Sequence, residues 1–204
     1  MTLFRLCVAS LAALALILPV QAETFAPGWR FAPPPGVTVT TGQPRNALML
    51  QGNAHVNPIY LRQVVPYQTT ERSGTIVVDT RQHFLYFVLG DGRALRYGIG
   101  VARQGFEWRG THRVTRKAEW PGWTPPAEMR KRQPGLPTHM AGGPNNPLGA
   151  RALYLGSTLY RIHGTNEPWS IGQNVSSGCI RMTNEDVIDL YGRVQLNTKV
   201  VVLS

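Results

Sequence analysis

The stretch RIHGTNEPWSIGQNVSSGCIRM, residues 161–182, carries the strongest signal in this sequence for both fold and chemistry. It holds a histidine, His163, followed by glycine and threonine, and a cysteine, Cys179, within the run SSGCIR. Because the two residues are sixteen positions apart in the chain, their side chains meet only through the fold. A thiol becomes a strong nucleophile beside a base, and imidazole titrates near neutrality. The pair therefore indicates nucleophilic catalysis with His163 as the base.

Cys179 is the only cysteine that follows the predicted export signal, since the other cysteine is Cys7. In an exported protein such a cysteine is either a small buried residue or a thiol kept for chemistry. Gly178 allows close approach to the backbone, and amide N–H groups near Ser177, Gly178 and Cys179 are candidates for an oxyanion hole. Cys179 also lies shortly before a predicted helix, whose N-terminal dipole is expected to lower the thiol pKa.

The remaining candidate residues have plain structural alternatives. A histidine at the end of a strand, as predicted for His163, is often a hydrogen-bonded structural residue. Arg181 either clamps a substrate carboxylate or neighbouring main chain, or forms a structural ion pair. The other histidines show no HExxH spacing, and the sequence has no CxxC motif, so a zinc site is not expected. The mechanism expected for the Cys179 and His163 pair uses neither a metal nor an organic cofactor.

Outside residues 161–182 the pattern is mainly β. Alternating and β-branched runs predict strands at residues 59–65, 75–79, 84–89, 94–101, 112–117, 152–155, 158–162 and 199–203, with a hairpin turn at 90–92. A helix is predicted after Thr183, a good N-cap, with Asp186 completing a capping-box pattern. Residues 120–149 form a long loop rich in proline and glycine, and loops of this length are usually lids or binding loops.

The N-terminus indicates export. Residues 1–22 are interpreted as a secretory signal, with Arg5 before the apolar run 6–18 and a cleavage site after Ala22. An uncleaved anchor is the alternative, and the membrane is otherwise not an expected partner. Residues 23–66 are interpreted as an arm or linker rich in proline and glycine, and 67–204 as the catalytic domain.

The composition favours an anionic partner over nucleic acid. Cleavage after Ala22 lowers Lys+Arg from 21 to 20 against 11 acidic residues, which leaves a net charge of +9. A basic exported chain without a nucleic-acid motif is expected to meet an anionic surface, such as a cell wall or lipid headgroups. The one basic cluster, residues 130–132, is interpreted as a solvated loop.

These motifs resemble the L,D-transpeptidase catalytic domain (YkuD type) of bacterial cell walls. The residues that carry the resemblance are IHGT at 162–165, SSGCIRM at 176–182, GGPNNPLG at 142–149 and PGWTPP at 121–126. The resemblance extends from about Ser73 to Leu203. It implies a mainly β, sandwich-like domain with one or two short helices and a long active-site loop.

The resemblance also implies a reaction. The family's cysteine attacks the carbonyl after the third residue, a diamino acid, of a peptidoglycan tetrapeptide stem, and D-alanine leaves. The acyl group then passes to an amine of a second stem or to a lysine of an outer-membrane protein. By position, Cys179 would be the nucleophile and His163 the general base and acid. Gly164, Ser177 and Gly178 would shape the oxyanion site, and Arg181 would orient the site or the substrate.

One position departs from the family pattern. Many members carry a second histidine two residues before the cysteine, where this chain has Ser177. Two alternatives therefore stay open beside the transpeptidase. One is an L,D-carboxypeptidase or amidase that uses water as the acceptor. The other is a non-catalytic wall-binding module that keeps the fold with a weakened site.

Overall fold

The computed structural model of this protein describes residues 56–203, so the predicted secretory signal and most of the predicted arm lie outside the described residues. Two α-helices lie in the described range, α1 (Ala127–Arg132) and α2 (Asn184–Arg193), together with 3-10 turns at Pro58–Tyr60 and Pro168–Ser170. The strands are β1 (Gln63–Pro66), β2 (Ile76–Asp79), β3 (Phe84–Gly90), β4 (Arg93–Gly98), β5 (Val101–Ala102), β6 (Gly110–Glu119), β7 (Arg151–Leu155), β8 (Arg161–His163), β9 (Asn174–Ser176), β10 (Ile180–Arg181) and β11 (Lys199–Leu203).

Nine of these strands join in the order β1-β4-β3-β2-β11-β6-β7-β8-β10, and β5 pairs separately with β9. Strand β6 links the two halves of the large sheet, because its first residues pair with β11 and its later residues pair with β7. The register shifts between Val114 and Arg116, where β6 changes partner. Most neighbours are antiparallel, but β11 with β2 and β10 with β8 are parallel pairs.

One hydrophobic core collects side chains from both halves of the sheet and from α2. The first half contributes residues such as Ile76 and Tyr97, and the second contributes residues such as Leu153 and Ile162. Burial of an aliphatic side chain of this size stabilises the fold by roughly 1.5–3 kcal/mol. The expectation of a mainly β, sandwich-like domain with few helices is confirmed.

The predicted strand at 94–101 is wrong in one respect, because it is two strands. Strand β4 ends at Gly98, and Gly100 turns away to exchange backbone hydrogen bonds with Arg181. A side chain at Gly98 would run into Tyr60, so the chain passes too close there for any larger residue. This break carries β5 towards β9 and the cysteine loop.

The predicted strand at 158–162 starts too early. Thr158 forms a tight turn, since its hydroxyl donates to the Leu155 carbonyl and accepts from the Tyr160 amide. Strand β8 therefore begins only at Arg161, and His163 is its last residue, as predicted. The prediction missed α1, β9 and β10, and the strand predicted at 59–65 is a 3-10 turn followed by β1.

Helix α2 begins where the capping pattern predicts. Thr183 is the N-cap, and its hydroxyl accepts a hydrogen bond from the Asp186 amide at 3.1 Å. The apolar residues Val187 and Leu190 are fully buried against the core. With ten residues, α2 is the longest helix of the range 56–203, and no helix there has the length and apolar character needed to cross a membrane.

The N-cap yields a stability prediction. Replacing Thr183 by alanine removes the acceptor for the Asp186 amide and should lower the free energy of unfolding by about 1 kcal/mol. Thr183→Ser keeps the hydroxyl and is the matched control. Urea unfolding followed by circular dichroism measures both variants. Equal stability of the alanine and serine variants would show that the hydroxyl does not cap the helix.

Candidate active site

The parallel pairing of β8 with β10 brings the two predicted catalytic residues to one face of the sheet. Ile162 pairs with Ile180, and both side chains are buried in the core. Successive side chains of a strand point to opposite faces, so the residues that flank this pair face the other way. His163 pairs with Arg181 on that face, and Cys179 precedes β10 on the same side.

The Cys179 thiol is half-buried and uncharged. Its sulfur lies 3.9 Å from the Leu159 carbonyl oxygen, to which the thiol donates. Burial raises the pKa of this thiol above its ordinary value. Three nearby groups lower the pKa, but by less than burial raises it. They are the Arg161 guanidinium, the Arg161 backbone and the Arg181 guanidinium. The expected lowered pKa of this thiol is therefore wrong, because burial outweighs the groups that lower it.

His163 is buried and neutral. Its ring Nδ1 lies 2.5 Å from the Gly164 carbonyl oxygen, which can only accept, so this nitrogen carries the proton and Nε2 is left as the acceptor. Burial lowers the pKa of His163 to about 3, and the neighbouring Arg181 and Arg161 cations lower it as well. The Gly164 hydrogen bond opposes these effects without cancelling them. The ring is therefore in the proton-accepting form at neutral pH.

Cys179 and His163 share a face of the sheet but are not hydrogen-bonded to each other in the described part of the chain. In this arrangement the neutral Cys179 thiol donates to the Leu159 carbonyl, and the neutral His163 ring keeps its Nε2 available as an acceptor. Proton transfer between these two groups would require the thiol to leave the Leu159 carbonyl. Catalytic hydrogen bonds are often absent from a free enzyme and form when the substrate binds.

The turn that presents Cys179 is held by Ser176. Its hydroxyl donates to the Cys179 carbonyl at 2.6 Å and accepts from the Gly178 amide at 3.2 Å. Of the candidate oxyanion donors, the Gly178 N–H is therefore already engaged. The Ser177 and Cys179 N–H groups have no acceptor within residues 56–203. These two amides are the donors left for an oxyanion in this arrangement.

Both glycines singled out in the sequence lie where no side chain fits. Gly178 has a φ of 111°, and a Cβ there would overlap the Tyr160 ring. A Cβ on Gly164 would overlap the side-chain oxygen of Asn184, which accepts a hydrogen bond from the Ala150 amide at 2.9 Å. Gly164 thus lets the strand that carries His163 pack tightly against the start of α2.

Arg181 lies in a structural ion pair. Its guanidinium is 2.8 Å from the Glu167 carboxylate, and both side chains are mostly buried. The chain after His163 is thereby tied to β10. The Arg181 cation also contributes to the positive field on the face that carries Cys179 and His163, as its effect on both pKa values indicates.

Sequence reasoning missed an aromatic pair that supports the cysteine turn. Trp108 donates from its indole N–H to the Gly178 carbonyl at 2.6 Å. Its ring stacks on Tyr160, with 4.3 Å between centroids and 2° between planes. Trp108 follows β5 and Tyr160 precedes β8, so the chain itself places them far apart. No spacing or motif in the sequence signals this contact.

The loop at 120–149 is ordered by its own contacts. Asn146 is almost fully buried, and its amide donates to the Met140 and Ala141 carbonyls. Trp123 exchanges backbone hydrogen bonds with Met140, which closes the loop on itself. The Asn166 side chain donates to the Asn145 carbonyl at 3.2 Å and so joins the loop to the segment after His163.

Residues 56–203 hold no group of three or more His, Cys, Asp or Glu side chains arranged to hold a metal ion. The structure therefore assigns no metal ligand within that range. The groups that this face of the sheet presents are a thiol, an imidazole, two guanidinium groups and the two amide N–H groups without an acceptor.

A family model for the L,D-transpeptidase catalytic domain, YkuD, matches residues 73–202. The Probable L,D-transpeptidase ErfK/SrfK of Escherichia coli strain K12 is 40% identical over 143 residues, which are 66% of this chain and 45% of that protein. The chain thus spans about half the length of the curated relatives it matches.

Two solved structures are also similar. An L,D-transpeptidase from Mycobacterium smegmatis is 18% identical to this chain, and the match covers 65% of this chain and 59% of that protein. The two superpose with a TM-score of 0.51, which supports the fold alone. A probable carnitine operon oxidoreductase from Brucella melitensis is 47% identical and covers 74% of this chain and 99% of its own, with a TM-score of 0.49. At that TM-score the superposition supports no inference.

The family match covers well over half of the sequence, and it includes both His163 and Cys179. The mainly β fold and the single face that carries these residues agree with it. The chain therefore belongs to the YkuD family of L,D-transpeptidase catalytic domains.

Proposed function

We propose that this protein is an exported peptidoglycan L,D-transpeptidase that uses Cys179 as its nucleophile and His163 as its general base and acid. The observation that carries the proposal is the placement of both residues on one face of the β8–β10 pair, in a chain of this family. The two arginines on that face, Arg161 and Arg181, favour the negative charge that develops on sulfur and oxygen.

The first half-reaction forms a thioester. The Cys179 proton passes to Nε2 of His163 as the sulfur attacks the carbonyl that follows the diamino acid of the stem. The Ser177 and Cys179 amides donate to the resulting oxyanion. The C–N bond then breaks, His163 returns its proton to the leaving amine, and D-alanine departs.

The second half-reaction transfers the acyl group. An acceptor amine attacks the thioester carbon, His163 takes one proton from it, and Cys179 leaves as a thiol after that proton is returned. The acceptor is an amine of a second stem, which gives a 3→3 cross-link, or a lysine of an outer-membrane protein. The buried neutral imidazole suits both steps, because it is free to accept a proton in each.

Export to the periplasm or wall completes the proposal. It is supported by the sequence of residues 1–22 and by the basic composition, which suits an anionic wall. A thiol that must remain free is best kept as the sole cysteine of the exported chain, since the periplasm favours disulfides.

Acyl transfer by Cys179 is tested by intact mass. Incubation of the purified protein with a tetrapeptide stem should add the mass of the acyl group and release D-alanine, and Cys179→Ala should do neither. Adding an amine should then move the acyl group to that amine. Hydrolysis in its place would make the protein a carboxypeptidase, and an unreacted, folded native protein would favour a wall-binding module.

The pH profile tests the state of His163. A base with a pKa near 6.5 would lose about twentyfold in kcat/KM between pH 7 and pH 5, because most of it would be protonated. The lowered pKa of His163, about 3, keeps the ring neutral over this range, and its proton-accepting form is lost only as pH falls towards 3. We therefore expect kcat/KM for D-alanine release to change less than threefold from pH 7 to pH 5.

A second readout separates the thiol from the imidazole in that experiment. The rate of Cys179 alkylation by iodoacetamide, measured in a series of alkaline buffers, should have its pH midpoint above that of free cysteine, because burial raises the thiol pKa. An acidic limb in kcat/KM near pH 6.5 would instead show that His163 is solvated when it acts.

Trp108 should position the cysteine turn. Trp108→Phe keeps an aromatic ring against Tyr160 but removes the donor to the Gly178 carbonyl, so kcat for thioester formation should fall by about tenfold with little change in KM. His112 lies beside the same indole, and His112→Phe serves as a control that leaves the hydrogen bond in place. Unchanged kcat in Trp108→Phe would remove the indole from the positioning of Cys179.

A further inference from the structure

Two arginines from distant parts of the chain lie over one aromatic ring. The guanidinium carbon of Arg103 is 4.7 Å from the centroid of Phe106, and that of Arg132 is 5.2 Å from the same centroid. Arg103 follows β5, whereas Arg132 is the last residue of α1 in the long loop. The basic cluster at 130–132 is thus more than a solvated loop, because its final arginine packs on the segment next to the cysteine turn.

These two cations have no acidic partner within the described residues. Neither guanidinium lies within ion-pair distance of a carboxylate in the range 56–203. The nearby acidic side chains are engaged elsewhere, since Glu107 accepts from the Gly105 amide and Glu128 pairs with Lys131. Two like charges held against one ring favour an anion between or beside them.

Arg103 is fixed to the turn that carries the nucleophile. Its backbone amide donates to the Ser176 carbonyl at 3.0 Å, and its guanidinium donates to the Ser177 hydroxyl at 3.4 Å. Ser177 lies two residues before Cys179, so the cation is tied to the turn that presents the thiol. A substrate that reaches Cys179 must approach this turn, so an anionic group of that substrate is the candidate occupant.

We propose that Arg103 and Arg132 form a subsite that binds a carboxylate of the donor stem peptide. The proposal rests on the proposed function and names the part of its substrate that this site recognises. Guanidinium groups bind carboxylates through paired, charge-assisted hydrogen bonds, and the Phe106 ring keeps both groups in place. Ser177 supplies the hydroxyl that accepts a hydrogen bond from the Arg103 guanidinium.

Two carboxylates of such a peptide lie within reach of the nucleophile. One is the terminal carboxylate of D-alanine, which directly follows the bond that breaks. The other is the side-chain carboxylate of a diamino acid that carries one, on the acyl side of the same bond. Both groups are carboxylates and would bind the arginines in the same way. The test therefore uses peptides that lack one carboxylate or the other.

The test compares three peptides with the full chain. The first is a tetrapeptide stem with both carboxylates, and the second has a C-terminal amide. The third has lysine at its third position, which is a diamino acid without a side-chain carboxylate. The kcat/KM of native protein should fall by tenfold or more for the second or the third peptide, and that peptide identifies the bound carboxylate. In the double variant Arg103→Gln, Arg132→Gln this preference should shrink to less than threefold.

Matched controls remove the same charge nearby. Arg130→Gln lies in α1 and Arg109→Gln in the loop that holds Arg103, and neither side chain lies over Phe106. Both control variants should keep the native preference. A preference that is unchanged in the double variant, or lost equally in the controls, would overturn the subsite.

Failure of the subsite and failure of the proposed function give different results. If native protein releases no D-alanine from any stem, the proposed function fails. The affinities of the three peptides for Cys179→Ala protein, with and without the two arginine substitutions, are then measured by calorimetry. If removing one carboxylate weakens binding, and the two arginine substitutions abolish that difference, the subsite is supported even without catalysis. If neither change alters the affinity, the subsite is overturned.

Discussion

The parallel pairing of β8 with β10 is the constraint on which the rest of the site depends. It is a very short pairing, and it is held in register by Ile162 and Ile180, which are both buried in the core. Because strand side chains alternate between faces, burying this pair leaves His163 and the Cys179 side of β10 on the opposite face. A shift of one residue would turn His163 and Cys179 towards the hydrophobic core and turn the two isoleucines away from it.

The electrostatics of the site follow from a competition between burial and nearby cations. Burial favours the uncharged forms of both the thiol and the imidazole, whereas the two arginines favour a thiolate and disfavour an imidazolium. At Cys179 the effect of burial on the pKa exceeds that of the arginines, so both the thiol and the imidazole are uncharged at neutral pH. In the proposed mechanism the positive field then acts mainly on the charge that develops during reaction, which is where stabilisation lowers the barrier.

The cysteine turn is supported from several directions at once. The Ser176 hydroxyl donates a hydrogen bond to the Cys179 carbonyl, and the Trp108 indole donates one to the Gly178 carbonyl. Arg103 donates from its backbone amide to the Ser176 carbonyl and from its guanidinium to the Ser177 hydroxyl. The break between β4 and β5 makes this possible, since it sends the chain after Gly98 towards β9. The long loop adds Arg132 to the same neighbourhood through Phe106.

The sequence by itself determined most of the longer strands and the capped helix, and it singled out the two residues of the proposed mechanism. These follow from local signals, namely the alternation of apolar residues, the Thr183 cap and the motifs around His163 and Cys179. Only the tertiary structure decided which way the thiol and imidazole titrate, and which aromatic and cationic side chains surround them. Trp108, Tyr160, Arg103 and Arg132 come from separate segments, and burial is a property of the packed chain. No local pattern encodes contacts between segments so far apart, because they arise only when the strands pair and the core closes.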